Sequence, residues 1–271
     1  MHSIILTVHN KEWLIDKVIE SIVKNTIESY ELIVVIDGCT DNTEKIVFET
    51  LKNSQVNYKV IFTPDVFETK ANNAGLKLAK GDKVIIIQDD MIIKEYGWNK
   101  RMQKPFDEFN DVFAVTSRTA HNWSFNPNTQ HLNMRENLDN CWCDICLHNN
   151  HADKSNISRD VFAVRASVNR GPLMIDHDDL KVMNYFDENF SPQDMDDHDL
   201  MYRMHKKLDK VCGCYWIDFE SRDVWGGTRV SGSPAPWLLK ANHKNMKIFY
   251  ERHKDLINLN YQNENRMLND G

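Results

Sequence analysis

The sequence has no apolar run approaching the roughly 18 to 20 residues that a membrane-spanning helix requires. Its first residues, MHSIILTVHNKE, lack the basic start and small-residue cleavage pattern of a secretory signal. Both absences point to a soluble, cytoplasmic protein. Basic residues are in the minority: 33 Lys and Arg stand against 40 Asp and Glu, a formal charge of −7. A broad grip on nucleic-acid backbones relies on the opposite balance, so nucleic acid is disfavoured as a partner, although a local basic groove is compatible with the composition. Cysteine is sparse: Cys39, Cys141, Cys143, Cys146, Cys212 and Cys214 are too few and too clustered to staple a secreted fold of 271 residues. The chain has no internal repeat, no low-complexity linker and no Gly-rich, basic phosphate loop after its first apolar run.

What is present is an ordinary globular composition, 41% hydrophobic and 27% charged, long enough for one large or two small domains with a core. SIILTV at 3 to 8 reads as a strand, and Asn10 reads as the cap of a helix whose Leu14, Val18 and Ile22 recur at helical spacing. ELIVVI at 31 to 36 is a second strand, followed by turn and cap residues in DGCTDNT and a helix in EKIVFETL. YKVIF at 58 to 62 is a third strand, KANNAGLKLAKG at 70 to 81 a helix ending in Gly81 at C′, and KVIIIQ at 83 to 88 a fourth strand. Near-continuous apolar strands alternating with helices predict an α/β fold: a mostly parallel sheet with helices on both faces. VFAVTS at 112 to 117 and VFAVRASV at 161 to 168 add strands across a long polar stretch of the kind that serves as a lid or substrate loop. From Pro236 an amphipathic helix leads into a polar tail expected to fray.

IIIQDDMII, residues 85 to 93, is too apolar a setting for two adjacent carboxylates unless they are paired, bound to a metal or released into a cleft. Ligands of parallel sheets bind beyond the carboxyl ends of the strands. Gln88, Asp89 and Asp90 lie where the fourth strand emerges, beside Thr7 to Asn10 and Asp37 to Asp41 from the first two strands.

SIILTVHNKE, ELIVVIDGCTDNT, KANNAGLKLAKGD and IIIQDDM, in this order and spacing, resemble the nucleotide-sugar-binding half of family 2 glycosyltransferases. YFDENF and DDHDLMYRM, within 185 to 204, resemble the family's acceptor-side motif, an acidic pair before a helix. The likeness covers roughly residues 3 to 230. It implies a single GT-A, Rossmann-like domain over 1–232, with a nucleotide-sugar-binding half at 1–100, an acceptor-binding half at 101–232 and a C-terminal helical tail at 233–271. It also implies inverting transfer of a sugar from a nucleoside diphosphate donor, UDP first among the nucleotides, to an acceptor hydroxyl with a divalent cation, Mn²⁺ or Mg²⁺. Thr7, His9, Asn10 and Glu12 sit where the family holds the nucleoside, as does Asp37, whose other reading is a turn or helix cap. Asp90 matches the last acid of the family's Asp-x-Asp signature and is the expected metal ligand; Gln88 replaces the first acid and could still bond the ribose, Asp89 occupies the variable place, and both are expected among the nucleotide-binding residues. Asn72 and Asn73 stand where the family often has Arg and Asn. Asn73 keeps the nucleotide-binding assignment, and Lys70 either replaces the missing cation or is a solvated helix-start lysine.

By register, Asp197 in SPQDMDDHDL matches the family's catalytic base, a carboxylate that takes the acceptor's proton opposite the leaving group. A solvated helix N-terminus is the alternative reading of the cluster Asp194, Asp196, Asp197 and Asp199. Arg170, Gly171, Asp196 and Trp225 are candidates for contact with the donor sugar or acceptor. Cys141, Cys143, Cys146 and His148 offer ligands for a structural Zn²⁺, with Cys212 and Cys214 as a second pair, but the spacing is not a common finger and free thiols are the default. The sugar and the acceptor, whether glycan, protein or another hydroxyl compound, are not named by the sequence, nor is the oligomeric state. A nucleotide-sugar-binding protein without catalysis is the alternative function, and a sugar nucleotidyltransferase is a third.

Overall fold

The computed structural model describes residues 1–126, 128–129, 131–134, 141–142, 158–222, 224–226, 235–259 and 263–268. The first half is built from β1 (His2–Val8), α1 (Ile15–Asn25), β2 (Tyr30–Asp37), α2 (Thr43–Lys52), β3 (Asn57–Thr63), α3 (Phe67–Leu76) and β4 (Lys83–Gln88). Strand alternation sorts the apolar side chains into two layers. Ile4, Leu6, Leu32, Val34, Ile85 and Ile87 pack with Val18, Ile19 and Ile22 of α1 and Val47 and Leu51 of α2. Ile5, Ile33, Val35, Val84 and Ile86 pack on the other face with Ala71 and Leu76 of α3. The near-continuous apolar spelling of these strands follows from burial on both faces.

The second half adds β5 (Ile92–Ile93), α4 (Trp98–Glu108), β6 (Val112–Thr116), β7 (Thr119–His121), β8 (Trp123–Asn126), β9 (His131–Met134), β10 (Cys141–Trp142), β11 (Val161–Arg165), β12 (Ser167–Val168) and β13 (Leu173–Asp176). It continues through α5 (His177–Val182), α6 (Asp196–Leu208), β14 (Val211–Cys214), β15 (Phe219–Glu220), α7 (Pro236–Leu259) and β16 (Asn263–Met267). Nine of these strands form the central sheet in the order β16-β11-β14-β6-β13-β4-β1-β2-β3. Only β13 and β11 run against the other members, so the sheet is mostly parallel.

Four local expectations differ from the structure. Asn10 does not cap α1, which begins at Ile15; its φ is +48° and its side chain accepts from Thr40 N at 2.7 Å, tying two loops together. The helix expected over 70 to 81 is α3, shifted toward the N-terminus because the Asp37 carboxylate receives Val66 N and Phe67 N and starts the helix there. Gly81 is therefore not a C′ residue; it lets the chain pass β1, where a Cβ would stand 2.5 Å from Ser3 N. The polar tail, expected to fray, contributes β16, an edge strand on β11 anchored by Arg266 to Asp111 at 2.6 and 2.9 Å. No helix among the described residues is long and apolar enough to cross a membrane.

Candidate active site

A crevice opens at the carboxyl ends of β1, β2 and β4, lined by Thr7, Val8, His9, Asp37, Glu68, Ala71, Gln88, Asp89, Asp90 and Gln193. It gathers residues far apart in sequence because parallel strands with helical crossovers bring their loops to one edge. His9 Nδ1 lies 2.5 Å from the Asp37 carbonyl and its Nε2 lies 3.1 Å from Asn10 Nδ2, an arrangement satisfied by a proton on Nδ1. The Asp37 carboxylate, buried, accepts from Thr63 Oγ1 at 2.7 Å, Val66 N at 2.8 Å and Phe67 N at 2.9 Å. It thus clamps a turn in which Asp65 and Phe67 both have positive φ.

The three residues of QDD have three different settings. Gln88 Nε2 donates to Glu68 Oε1 at 2.9 Å and its Oε1 receives Arg118 Nη1 at 3.0 Å. Asp89 receives His9 N at 3.1 Å and stands 3.2 Å from the ammonium of Lys11, a fully buried lysine whose Nζ also donates to the Trp225 carbonyl at 2.6 Å. Burial pushes Asp89 up to about 6, with Asp90 adding to the rise and Lys11 opposing it. Asp90 is buried, and its Oδ1 has no hydrogen-bond partner among the described residues.

Beyond Gln88, Arg170 ties the crevice to the N-terminus of α6. Its Nε lies 3.0 Å from Glu68, its Nη1 donates to Asp196 Oδ2 at 2.6 Å, and its Nη2 bonds the other Asp196 oxygen. Asp196 is therefore neutralised by a forked ion pair. Asp197 is treated differently: among the described residues its oxygens receive hydrogen bonds from backbone donors, Arg170 N at 3.1 Å and His198 N at 2.9 Å, with His198 Nε2 3.6 Å away. Burial raises Asp197 above the usual carboxylate range, Arg170 opposing and Asp196 adding. Burial pushes His198 down to about 3, so this imidazole is neutral. Gly171, at φ +82°, backs onto Gln88 so closely that a Cβ would meet Oε1 at 2.5 Å.

Other sequence candidates fall outside the crevice lining. Glu12 is exposed and accepts from Asn42 N and Nδ2, both at 2.8 Å, while Asp41 receives Thr43 N at 3.0 Å and Glu12 N at 3.1 Å. Asn73 bridges α3 to the segment before α6, with Nδ2 on the Phe186 carbonyl and Glu188 and Oδ1 receiving Phe186 N. Lys70 is exposed. Trp225 is half-buried against the core, with the Arg222 guanidinium 5.0 Å from its ring. Asp199 is held below the ordinary carboxylate range against its burial by His253 and Arg203. Cys143, Cys146 and His148 lie outside the described residues, as does the Cys141 side chain. Cys212 and Cys214 are buried in β14, where Cys212 Sγ donates to the Arg165 carbonyl.

Residues 3–171 match the pattern of Glycosyl transferase family 2, 169 of 271 positions. The chain belongs to that family. Among curated relatives, Glycosyltransferase GlyG of Streptococcus pneumoniae serotype 4 is 29% identical over 94 residues, 34% of this chain and 31% of that protein. An uncharacterized glycosyltransferase of Haemophilus influenzae is 33% identical over 93 residues, 34% of this chain and 36% of the relative. The matches thus span about a third of those relatives. Among solved structures, S. aureus TarS 1-349 in complex with UDP-GlcNAc superposes with a TM-score of 0.61 at 18% identity, covering 94% of this chain and 70% of that one. GalNAc-T7 with UDP, GalNAc and Mn²⁺ gives 0.65 at 12% identity, covering 95% of this chain and 49% of that one. These likenesses show the GT-A fold.

Whether this family 2 chain suits a divalent cation is tested by Asp90. Among the described residues no three His, Cys, Asp or Glu side chains form a ready cage. Mg²⁺ and Mn²⁺ sites that also use substrate phosphates need only one or two carboxylates, and an unpartnered, buried carboxylate oxygen in the crevice meets that requirement. Sequence reading missed Lys11, Glu68 and Arg118. Lys11 follows directly on a motif residue, which is a signal; Glu68 and Arg118 reach Gln88 only through the tertiary fold.

Proposed function

We propose that this chain moves a sugar from a nucleoside diphosphate sugar, with UDP the favoured nucleotide, to an acceptor hydroxyl with inversion at the anomeric carbon. The observation that carries the reading is the unequal treatment of two adjacent carboxylates: Asp196 is neutralised by Arg170, while Asp197 is hydrogen-bonded, among the described residues, by backbone donors and has a raised proton affinity. Such a group is suited to general-base work near neutral pH. Asp197 takes the acceptor's proton as the acceptor oxygen bonds the anomeric carbon and the bond to the diphosphate oxygen breaks. Asp90 would hold Mn²⁺ or Mg²⁺, which when bound neutralises the departing diphosphate. Thr7, His9 and Asp37 frame the nucleoside end, on this reading. UDP is favoured because two proteins of the same fold carry UDP or a UDP-sugar and one of them Mn²⁺. Residues 1–100 serve the donor and 101–232 the acceptor.

The test is turnover of a panel of nucleotide sugars by the wild type and by Asp197→Asn. The variant is expected to lose about 10²- to 10⁴-fold in kcat with donor affinity unchanged. Absence of transfer and of donor hydrolysis for every donor with an acceptor panel contradicts the reading. A binding protein without catalysis is favoured by one feature, the amide at Gln88, and would show no effect of Asp197→Asn.

A further inference from the structure

The crevice holds a carboxylate that the proposed reaction does not use. Glu68, in the first turn of α3, lines the crevice, and both of its contacts fall on one atom: Gln88 Nε2 at 2.9 Å and Arg170 Nε at 3.0 Å, each to Oε1. Oε2 takes neither. Gln88 is fixed from its other end by Arg118 and from behind by Gly171. The side chain at position 88 is thus turned to the protein and holds Glu68 in place. The negative charge that an acid at position 88 would carry is carried from α3 instead.

Sheet order tells which end of the crevice Glu68 serves. Asp37 ends β2 on one side of β1, and Gln88 ends β4 on the other, next to β13 and the Arg170–Asp196 pair. Glu68 is bonded to Gln88 and Arg170, the side nearer Asp197. A donor stretched from Asp37 toward Asp197 therefore brings its sugar, rather than its nucleoside, beside Glu68. We infer that Glu68 Oε2 accepts hydrogen bonds from hydroxyls of the donor sugar and makes the crevice selective for neutral sugars over uronic acids. The inference rests on the donor site proposed above. Hydroxyls donate to a carboxylate in charge-assisted bonds, and a site built for them discriminates against a partner that leaves its buried groups unpaired. A sugar carboxylate would instead bring a further negative charge beside Glu68 and Asp197 where the dielectric is low, with the Arg170 guanidinium already engaged by Asp196 and Glu68.

Calorimetric titration of the full chain in Mn²⁺ with UDP, UDP-glucose, UDP-galactose, UDP-N-acetylglucosamine and UDP-glucuronate tests this. For the wild type, at least one neutral UDP-sugar is expected to bind about tenfold tighter than UDP, the scale of one hydrogen bond to a charged group, and UDP-glucuronate weaker than UDP. Glu68→Ala is expected to bring that UDP-sugar down to the affinity of UDP while UDP itself changes less than about twofold. Glu68→Gln keeps the side-chain volume and an acceptor oxygen, which guards against a folding defect; it is expected to narrow the gap between UDP-glucuronate and the neutral sugars. Equal losses for UDP and UDP-sugar, no loss for either, an unchanged gap in Glu68→Gln, or no neutral sugar tighter than UDP overturns the inference. Failure of UDP to bind the wild type defeats the donor-site reading itself and takes this inference with it.

Discussion

Lys11 has no exposed surface, and its ammonium stands 3.2 Å from Asp89. Removing one member of a buried pair leaves the other uncompensated, which costs roughly 3 to 5 kcal/mol. Lys11→Met is therefore expected to destabilise the fold by about 3 kcal/mol at pH 8 in urea unfolding. The pH dependence has a definite sign. Asp89 has a folded-state value of about 6 against an ordinary 3.8, so the folded chain binds its proton more tightly and this group's contribution to stability falls as pH rises through that window. Without Lys11 the folded value moves higher still, so the gap between wild type and Lys11→Met should widen from pH 6 to pH 8; a gap constant with pH contradicts the pairing. Asp197 follows the same logic in activity. In the proposed role of base it must be ionised, and its proton affinity is raised, so on that proposal the acid limb of kcat is expected above the ordinary carboxylate range.

Among the elements, the turn between β12 and β13 bears most directly on the site. Gly171 combines a left-handed φ with contact against Gln88, so a methyl group there is opposed by both backbone and neighbour. Gly171→Ala should cost more than about 1 kcal/mol in equilibrium unfolding and loosen the Gln88–Glu68–Arg118 bonds; a neutral substitution would show that the turn adapts freely. The four leading strands, the helices between them and the polar edge at QDD were legible because apolar runs of strand length, separated by helical spacing, have few other readings. The starting point of α3 was not, since it depends on Asp37 reaching 29 and 30 positions along the chain to Val66 N and Phe67 N. The partners of Asn73 were hidden for a related reason: its motif position says nothing of Phe186 and Glu188, which take its amide. Edge strand β16 was hidden because NENRM lacks apolar alternation, its pairing being backbone bonds and the Arg266 anchor.

At the scale of the molecule, the fold brings together two stretches of sequence about a hundred residues apart, Glu68 and Gln88 on one side and Arg170 and Asp196 on the other. The crevice at the ends of β1, β2 and β4 was readable from strand ends alone. The network Glu68 to Arg170 to Asp196 was not, because no spacing rule links α3 to α6 and only packing sets their distance. The central claim is that this crevice binds a nucleoside diphosphate through a cation on Asp90. Its most direct test is the thermal midpoint of the wild type and of Asp90→Ala with UDP, with and without Mn²⁺. Ligand at about 100 times its Kd adds roughly 2.7 kcal/mol, a rise of roughly 5 to 10 °C for a chain of this size. That rise is expected for the wild type only with both UDP and Mn²⁺ present and is lost in Asp90→Ala; no rise, or one that persists without Mn²⁺ and in Asp90→Ala, rules out a diphosphate held through a cation on Asp90.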